Sequence, residues 1–163
     1  MALDMFINMG DKIKGESRDK EQKDKIDILA WSWGMSQSGT THTGGGGGAG
    51  KANFQDLSFT KYIDSSTNAL MNALAKGSHI DKVVLMVRKA GEGQKKYLLI
   101  TMEEVLVTSI STGGSGGEDR LTENVTLNFG KVTFAYTPQD SKGTIAGDKT
   151  FTWNIAENDG NVV

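Results

Sequence analysis

Asn124-Val125-Thr126-Leu127-Asn128-Phe129, continued after Gly130 by Lys131–Tyr136, is the stretch that decides the fold. Val125, Leu127 and Phe129 point one way and Thr126 and Asn128 the other, the two-residue period of a strand with one buried face. Thr150-Phe151-Thr152-Trp153-Asn154-Ile155 repeats the arrangement. The apolar faces predict a core. The opposite faces are small, polar and uncharged, which is ordinary for a solvated sheet and would also suit the wall of a wide aqueous channel. Periodicity alone does not choose between the two.

Other segments extend the pattern. Leu3, Met5, Ile7 and Met9 alternate with Asp4, Phe6 and Asn8. Ile26–Trp33 reads as a strand with apolar residues on both faces, as if packed on each side. Phe54–Thr60, Val83–Arg88, Lys96–Ser111, Asn124–Tyr136 and Thr150–Ile155 carry the β-branched and aromatic residues that sheets favour. One helix is predicted. Asp64–Asn68 can cap it, Leu70, Ala73 and Leu74 recur at helical spacing, and Gly77 stops it. The expected fold is mainly β: an antiparallel β-barrel of two sheets, seven to nine strands, with one short α-helix. Residues 1–163 are expected to form one domain, with no internal repeat.

Two segments break the pattern. Asp11–Lys25 is dense in charge of both signs and reads as a solvated loop. Gly34–Gly50 holds eight glycines, five of them consecutive at Gly44–Gly48. Glycine loses the most backbone entropy on ordering, so this loop is expected to be flexible unless a partner holds it.

Composition narrows the function. Among 163 residues, 18 Lys and Arg face 20 Asp and Glu, a net charge of −2. Nucleic-acid binders draw affinity from a basic excess, so no nucleic-acid partner is expected. The first residues lack the basic and apolar regions of a signal peptide, and no apolar run approaches the ~18 residues of a membrane helix. The expectation is a protein that starts in the cytoplasm and does not insert in membranes; if it leaves the cell, something other than a cleaved signal takes it out. There is no cysteine and only His42 and His79, so neither a metal site nor a cofactor is expected.

Two glycine motifs imitate catalytic ones. Gly45–Lys51 resembles a phosphate-binding loop, but Ala52 stands where a hydroxyl must hold magnesium, and strand rather than helix follows. Gly113-Gly114-Ser115-Gly116-Gly117 matches a nucleophile elbow, which also needs a helix after it and a nearby histidine base. Neither context is met, and no enzyme is expected. Trp31 and Trp33 share a face at strand spacing, a pattern more common in cores and interfaces than in ligand sites.

Longer stretches carry a resemblance. Leu29-Ala30-Trp31-Ser32-Trp33-Gly34-Met35-Ser36-Gln37-Ser38-Gly39, the loop Gly44–Lys51, Gln55–Asp64 and Ser111–Phe129 together resemble the hemolysin-coregulated protein family in order and spacing. The resemblance covers Ala2 to Tyr136. The tail beyond Pro138 and the charged segment Asp11–Lys25 match less closely. It implies a β-barrel subunit that closes into homohexameric rings and stacks as the inner tube of a type VI secretion machine. The implied partners are further copies of itself, a spike protein, a contractile sheath and small effector proteins carried in the ring. Thr40, Thr41, His42, Gly44, Gly45, Gly46, Gly47 and Gly48 are then the candidate inter-subunit or ring-stacking loop, and Ser115 a candidate lumen or cargo contact. Rival readings are a contractile-phage tail-tube subunit and a monomeric secreted binding domain that uses Trp31 and Trp33.

Overall fold

The computed structural model describes residues 2–42, 48, 50–90, 93, 95–139 and 147–163. Among them are eleven strands and one helix: β1 Leu3–Asn8, β2 Ile26–Ser32, β3 Met35–Ser36, β4 Asn53–Phe54, β5 Leu57–Tyr62, α1 Thr67–Lys76, β6 Ile80–Lys89, β7 Lys96–Thr112, β8 Thr122–Asn128, β9 Lys131–Tyr136, β10 Lys149–Asn154 and β11 Asp159–Val162. The antiparallel order β7-β6-β1-β2-β5-β8 returns to β7 and closes a six-stranded barrel. β9, β10 and β11 extend from β7 as a wing, and β3 pairs with β4 alone.

β7 makes closure possible by serving two neighbourhoods. Its first half lies between β6 and β9, whereas Leu106–Thr112 pairs only with β8. β8 and β9 are successive parts of one long hairpin arm against β7. Leu106 pairs with Asn128 and Glu103 with Lys131, so the register passes the break unchanged. At the break Glu104 adopts φ 56°. Gly130 sits opposite, where a Cβ would collide with the Glu104 carboxylate.

Inside the barrel, Ile7, Ile26, Leu57, Leu85, Ile100, Met102, Val105, Val125 and Leu127 are fully buried. The alternation expected in Asn124–Phe129 holds: Val125, Leu127 and Phe129 are core, and Asn124 and Asn128 are exposed. α1 closes one end with Leu70 and Ala73. Gly77 ends it at φ 62°, where the Gly77 and Ser78 N–H groups bond to the Leu74 and Ala73 carbonyls. Leu74, placed on the helical face by its spacing, is instead 37% exposed.

Two expectations need correction. Ile26–Trp33 is not packed on both sides. A bulge between Ile28 and Ala30 switches the inward parity, so Ile26 and Ile28 face in first and Trp31 and Trp33 afterwards. The apolar residues on both faces come from that one inserted residue. Asp11–Lys25 is not a solvated loop. Ile13, Gly15 and Ser17 are buried, and the residues between them are exposed. Gly15, Ser17 and Asp24 exchange backbone hydrogen bonds with Asp24, Lys25 and Ser17 at 2.9–3.0 Å. The segment is a folded strap across the outside of β1 and β6. Beneath it Arg88 of β6, 2% exposed, packs over the Phe6 ring and pairs with Asp19.

Candidate functional site

β2, β5, β8 and the second half of β7 form a four-stranded sheet whose inner face is core. Its outer face follows from the same period of two. Ser32, Ser58, Thr126 and Ser109 are register partners in one row across the four strands, and Ala30, Thr60, Asn124 and Ser111 in the next. Neither row contains a charged residue. Ser58 and Thr126 hydroxyls lie 3.4 Å apart, and the Thr60 hydroxyl donates to Asn124 Oδ1 at 2.7 Å. Each hydroxyl has more bonding capacity than these contacts use, so the face remains well hydrated.

Among the described residues, charge appears only at the margins of this face. At one end Asp56 accepts hydrogen bonds from Thr108 at 3.0 Å and Asn128 at 2.9 Å. At the other, the Arg120 guanidinium stacks over Tyr62 at 3.9 Å, beside a hollow lined also by Asp27, Asp64, Glu16 and Arg18. Partial burial pushes the Asp27 carboxyl above its ordinary value. A hydrogen bond from Ser17 opposes this, and the nearby Asp64 carboxylate adds to it.

Both edges of the sheet are open among the described residues. β2 pairs with β5 from Ile28 to Ser32, and β1 pairs with β2 only at Ile26 and Asp27. Leu106–Thr112 has β8 on one side and no strand on the other. Unpaired backbone N–H and C=O groups on both edges are templates for further strands.

The glycine-rich loop is better ordered at its base than expected. Met35–Ser36 pairs with Phe54–Asn53, and Gln55 N–H donates to Gly34 O at 2.9 Å. Trp33 and Phe54 anchor this base, stacking with Phe134 and Trp153 of the wing at about 6.2 Å. The Trp33 indole N–H donates to Gln55 O at 2.9 Å. Trp31 and Trp33 therefore face the core and do not form an open stacking pair for a ligand. Beyond the base the arm projects, and residues 35–42 are all exposed. Thr40 closes onto Gly48 through its hydroxyl, which donates to Gly48 O at 2.8 Å. Thr41 and His42 follow at the tip. Gly44, Gly45, Gly46 and Gly47 lie outside the described residues.

Ser115 is exposed in the turn that joins β7 to β8, its carbonyl accepting Glu118 N–H at 3.1 Å. This turn follows Thr112 and Glu123 at one end of the polar sheet, whereas the arm continues from Ser32, in the row of Ser109 and Thr126 toward the other end, so the structure does not bring Ser115 and the arm together in one site. The turn leads into strand β8, and Lys51 is followed by strand β4, so neither glycine motif opens a helix. Among the described residues no group of three or more His, Asp or Glu side chains is placed to hold a metal ion, and no helix is long and apolar enough to cross a membrane. That an antiparallel sheet of this class has edges open to another chain is expected from its sequence, but which strands carry them is seen only in the pairing. The signal for one of them was the length of β7, which outruns β6.

Residues 6–136 match the family model described as "Type VI secretion system effector, Hcp". The chain is 63% identical over 160 residues to protein hcp1 of Pseudomonas aeruginosa, covering 97% of this chain and 98% of that one. Among solved structures, one described as a type six secretion system protein superposes with a TM-score of 0.91 at 29% identity, covering 98% of this chain and all of that one. Hcp1 from Salmonella typhimurium gives 0.81 at 33% identity, covering 99% of this chain and all of that one.

Proposed function

Because this chain belongs to the Hcp family of type VI secretion proteins, a family of secreted structural proteins, we propose that it is the subunit of stacked homohexameric rings that form the inner tube of the secretion machine. The observation that supports this best is the uncharged polar sheet with two open edges. A wall that continues from subunit to subunit needs an unpaired strand at each side, and head-to-tail contacts between identical subunits close a ring when the rotation closes. On this reading the Ser, Thr and Asn rows line the lumen, where hydroxyls and amides hold water without binding charged cargo tightly. Small effector proteins travel there, and Ser115 borders the passage. Residues 1–163 act as one domain. A spike protein caps the tube and a contractile sheath drives it from the cell, so export needs no cleaved signal.

Native mass measurement tests the ring. The expected species is a hexamer of about 105 kDa, six times the 17.5 kDa subunit. A monomer that persists at every concentration sinks the proposal.

The arm supplies the second test. Its base is anchored by Trp33 and Phe54, but its outer part, Thr40, Thr41, His42 and Gly44–Gly48, is proposed to lie along a neighbouring subunit or ring. Glycine allows close backbone approach, and ordering such a segment costs about 1 kcal/mol per residue, which repeated contacts in a stack can offset. Replacing Thr40–Gly48 by a short turn while keeping the paired base is expected to leave the circular dichroism melt of the subunit unchanged. Tubes seen by electron microscopy, and secretion, are expected to be lost. Normal tubes and export from the shortened protein reduce the arm to a linker.

A further inference from the structure

The wing takes no part in closing the barrel, yet it carries three partly buried aromatic rings, Phe134, Phe151 and Trp153. These and two rings at the base of the arm form a continuous row. Phe151 stacks on Trp153 at 6.2 Å and 12°, and Trp153 on Phe54 at 6.2 Å and 25°. Phe54 stacks on Trp33 at 6.4 Å and 25°, and Trp33 on Phe134 at 6.2 Å and 27°. Phe134 and Phe151 are register partners on β9 and β10. The row therefore begins and ends on neighbouring strands of the wing, with the two arm rings held in between. β11 supports it from the side. Gly160 is the register partner of Trp153, and a Cβ there would collide with the Trp153 ring and the Thr152 carbonyl. The missing side chain lets the indole lie against β11.

The arm has little else to fix its direction. β3 and β4 are two residues each and, among the described residues, pair only with each other. A ribbon that short does not hold itself together in water. The hydrogen bonds at its base, Gln55 N–H to Gly34 O and Trp33 Nε1–H to Gln55 O, both 2.9 Å, tie the two legs of the arm to one another and not to the barrel. From the barrel side Phe129 meets the row, tilted against Trp33 at 6.3 Å. The other ring contacts of Trp33 and Phe54 are to each other and to the wing.

From these contacts we infer that the wing positions the arm: Phe134, Phe151 and Trp153 set the direction in which residues 35–42 leave the subunit. Stacked rings prefer particular mutual orientations, so the row fixes an angle as well as a contact. The rings lie at the margin of the core, where local opening requires less free energy than unfolding. Opening the row therefore releases the arm without opening the barrel. Coupling between two sites is reciprocal, so an arm held by another molecule in turn tightens the wing. The inference rests on the tube reading in one respect: if the arm joins subunits or rings, its direction decides whether it meets its neighbour.

Amide hydrogen exchange on the full chain is the test. Phe151→Ala and Trp153→Ala disrupt the row, and Trp153→Phe keeps a ring in it. In both alanine variants, exchange at Gln55 and across β3 and β4 is expected to rise on the order of tenfold or more. Ile7, Leu85 and Ile100, fully buried in the barrel, are expected to keep the rates of the intact protein. Trp153→Phe is expected to restore most of the protection. Native mass is expected to show the same oligomer as the intact protein, and electron microscopy to show tubes shortened or lost. Unchanged exchange at the arm base in both alanine variants overturns the inference. So does a rise at Ile7, Leu85 and Ile100 as large as that at Gln55, which makes the wing a general stabiliser of the barrel. Normal tubes from a variant whose arm base has loosened overturn it too. If the intact protein forms no tubes, the tube reading fails, and the exchange pattern still decides whether the wing holds the arm.

Discussion

Replacing Lys61 with alanine is expected to lower the unfolding free energy by about 3–5 kcal/mol, a large part of a domain's stability. Lys61 is fully buried on β5 at the barrel end that α1 closes. Its ammonium donates to Tyr62 O at 2.9 Å, to Asp64 Oδ1 at 2.9 Å and to the Thr67 hydroxyl at 3.2 Å, and it pairs with Glu123 of β8. Thr67, the first residue of α1, donates in turn to Glu123 Oε1 at 2.7 Å. One cation thus joins two strands to the start of the helix.

Removing it leaves the Glu123 carboxylate, 1% exposed, without its counter-charge. The desolvation already incurred by that carboxylate is then uncompensated. The double variant K61M/E123L removes both charges together and is expected to lose much less than K61A and E123L combined. The measurement is urea unfolding followed by circular dichroism at matched protein concentration, because assembly itself raises apparent stability. A loss below about 1 kcal/mol for K61A means the cluster behaves as a solvated surface pair, contrary to its burial.

Replacing Arg88 with alanine is expected to detach the strap and to cost about 2–3 kcal/mol. The effect is smaller than at Lys61 because Asp4 and Glu21, each 3.6 Å from the guanidinium, can regain water when it is gone. Part of the loss is packing, since the guanidinium covers Phe6. The hydrogen bond from Arg88 holds the Asp19 carboxyl below its ordinary value. An acid whose pKa is lower in the folded state stabilises the fold above its unfolded pKa, about 3.9 for aspartate. That contribution disappears as pH falls through the lower folded value.

Intact protein should therefore retain its strap at pH 5 to 7, on the order of one to three units above that unfolded value, and release it only in stronger acid. In R88A this acid-sensitive part should be missing, with the strap already open to proteolysis at Lys20 and Lys23 at neutral pH. R88K separates charge from shape: it retains the cation but not the planar fork, and should fall between the two. Equal resistance of R88A and the intact protein to trypsin at neutral pH shows that the strap is held by Ile13 and the backbone alone.

Local pattern carried most of the strands, because a strand with one buried face must alternate whatever its partner. Val125, Leu127, Phe129, Leu57 and Phe59 were legible for that reason, and so was α1, whose Gly77 stop depends only on backbone conformation. The uncharged outer face was also legible, though what it faces was not. The sequence divided less cleanly where two strands share one run: Asn124–Tyr136 is β8 and β9, and Phe54–Thr60 is the end of β4 and most of β5. β11 went unseen, since Asp159-Gly160-Asn161-Val162 has no alternation and becomes a strand only by pairing with β10.

What the sequence by itself determined is the class of fold, the position of the helix, the place of the glycine-rich arm and, through long specific motifs, the family. Tertiary structure decided the rest. The strap looked solvated because charge balance says nothing about which acids will meet a buried cation, and Asp19 and Arg88 are 69 residues apart. The bulge in β2 is a register event between strands and leaves no local mark except apolar residues on both faces. Lys61 looked like any strand lysine until β8 placed Glu123 beside it. In each case the deciding interaction joins groups distant along the chain, and its energy exists only once the barrel has closed around them.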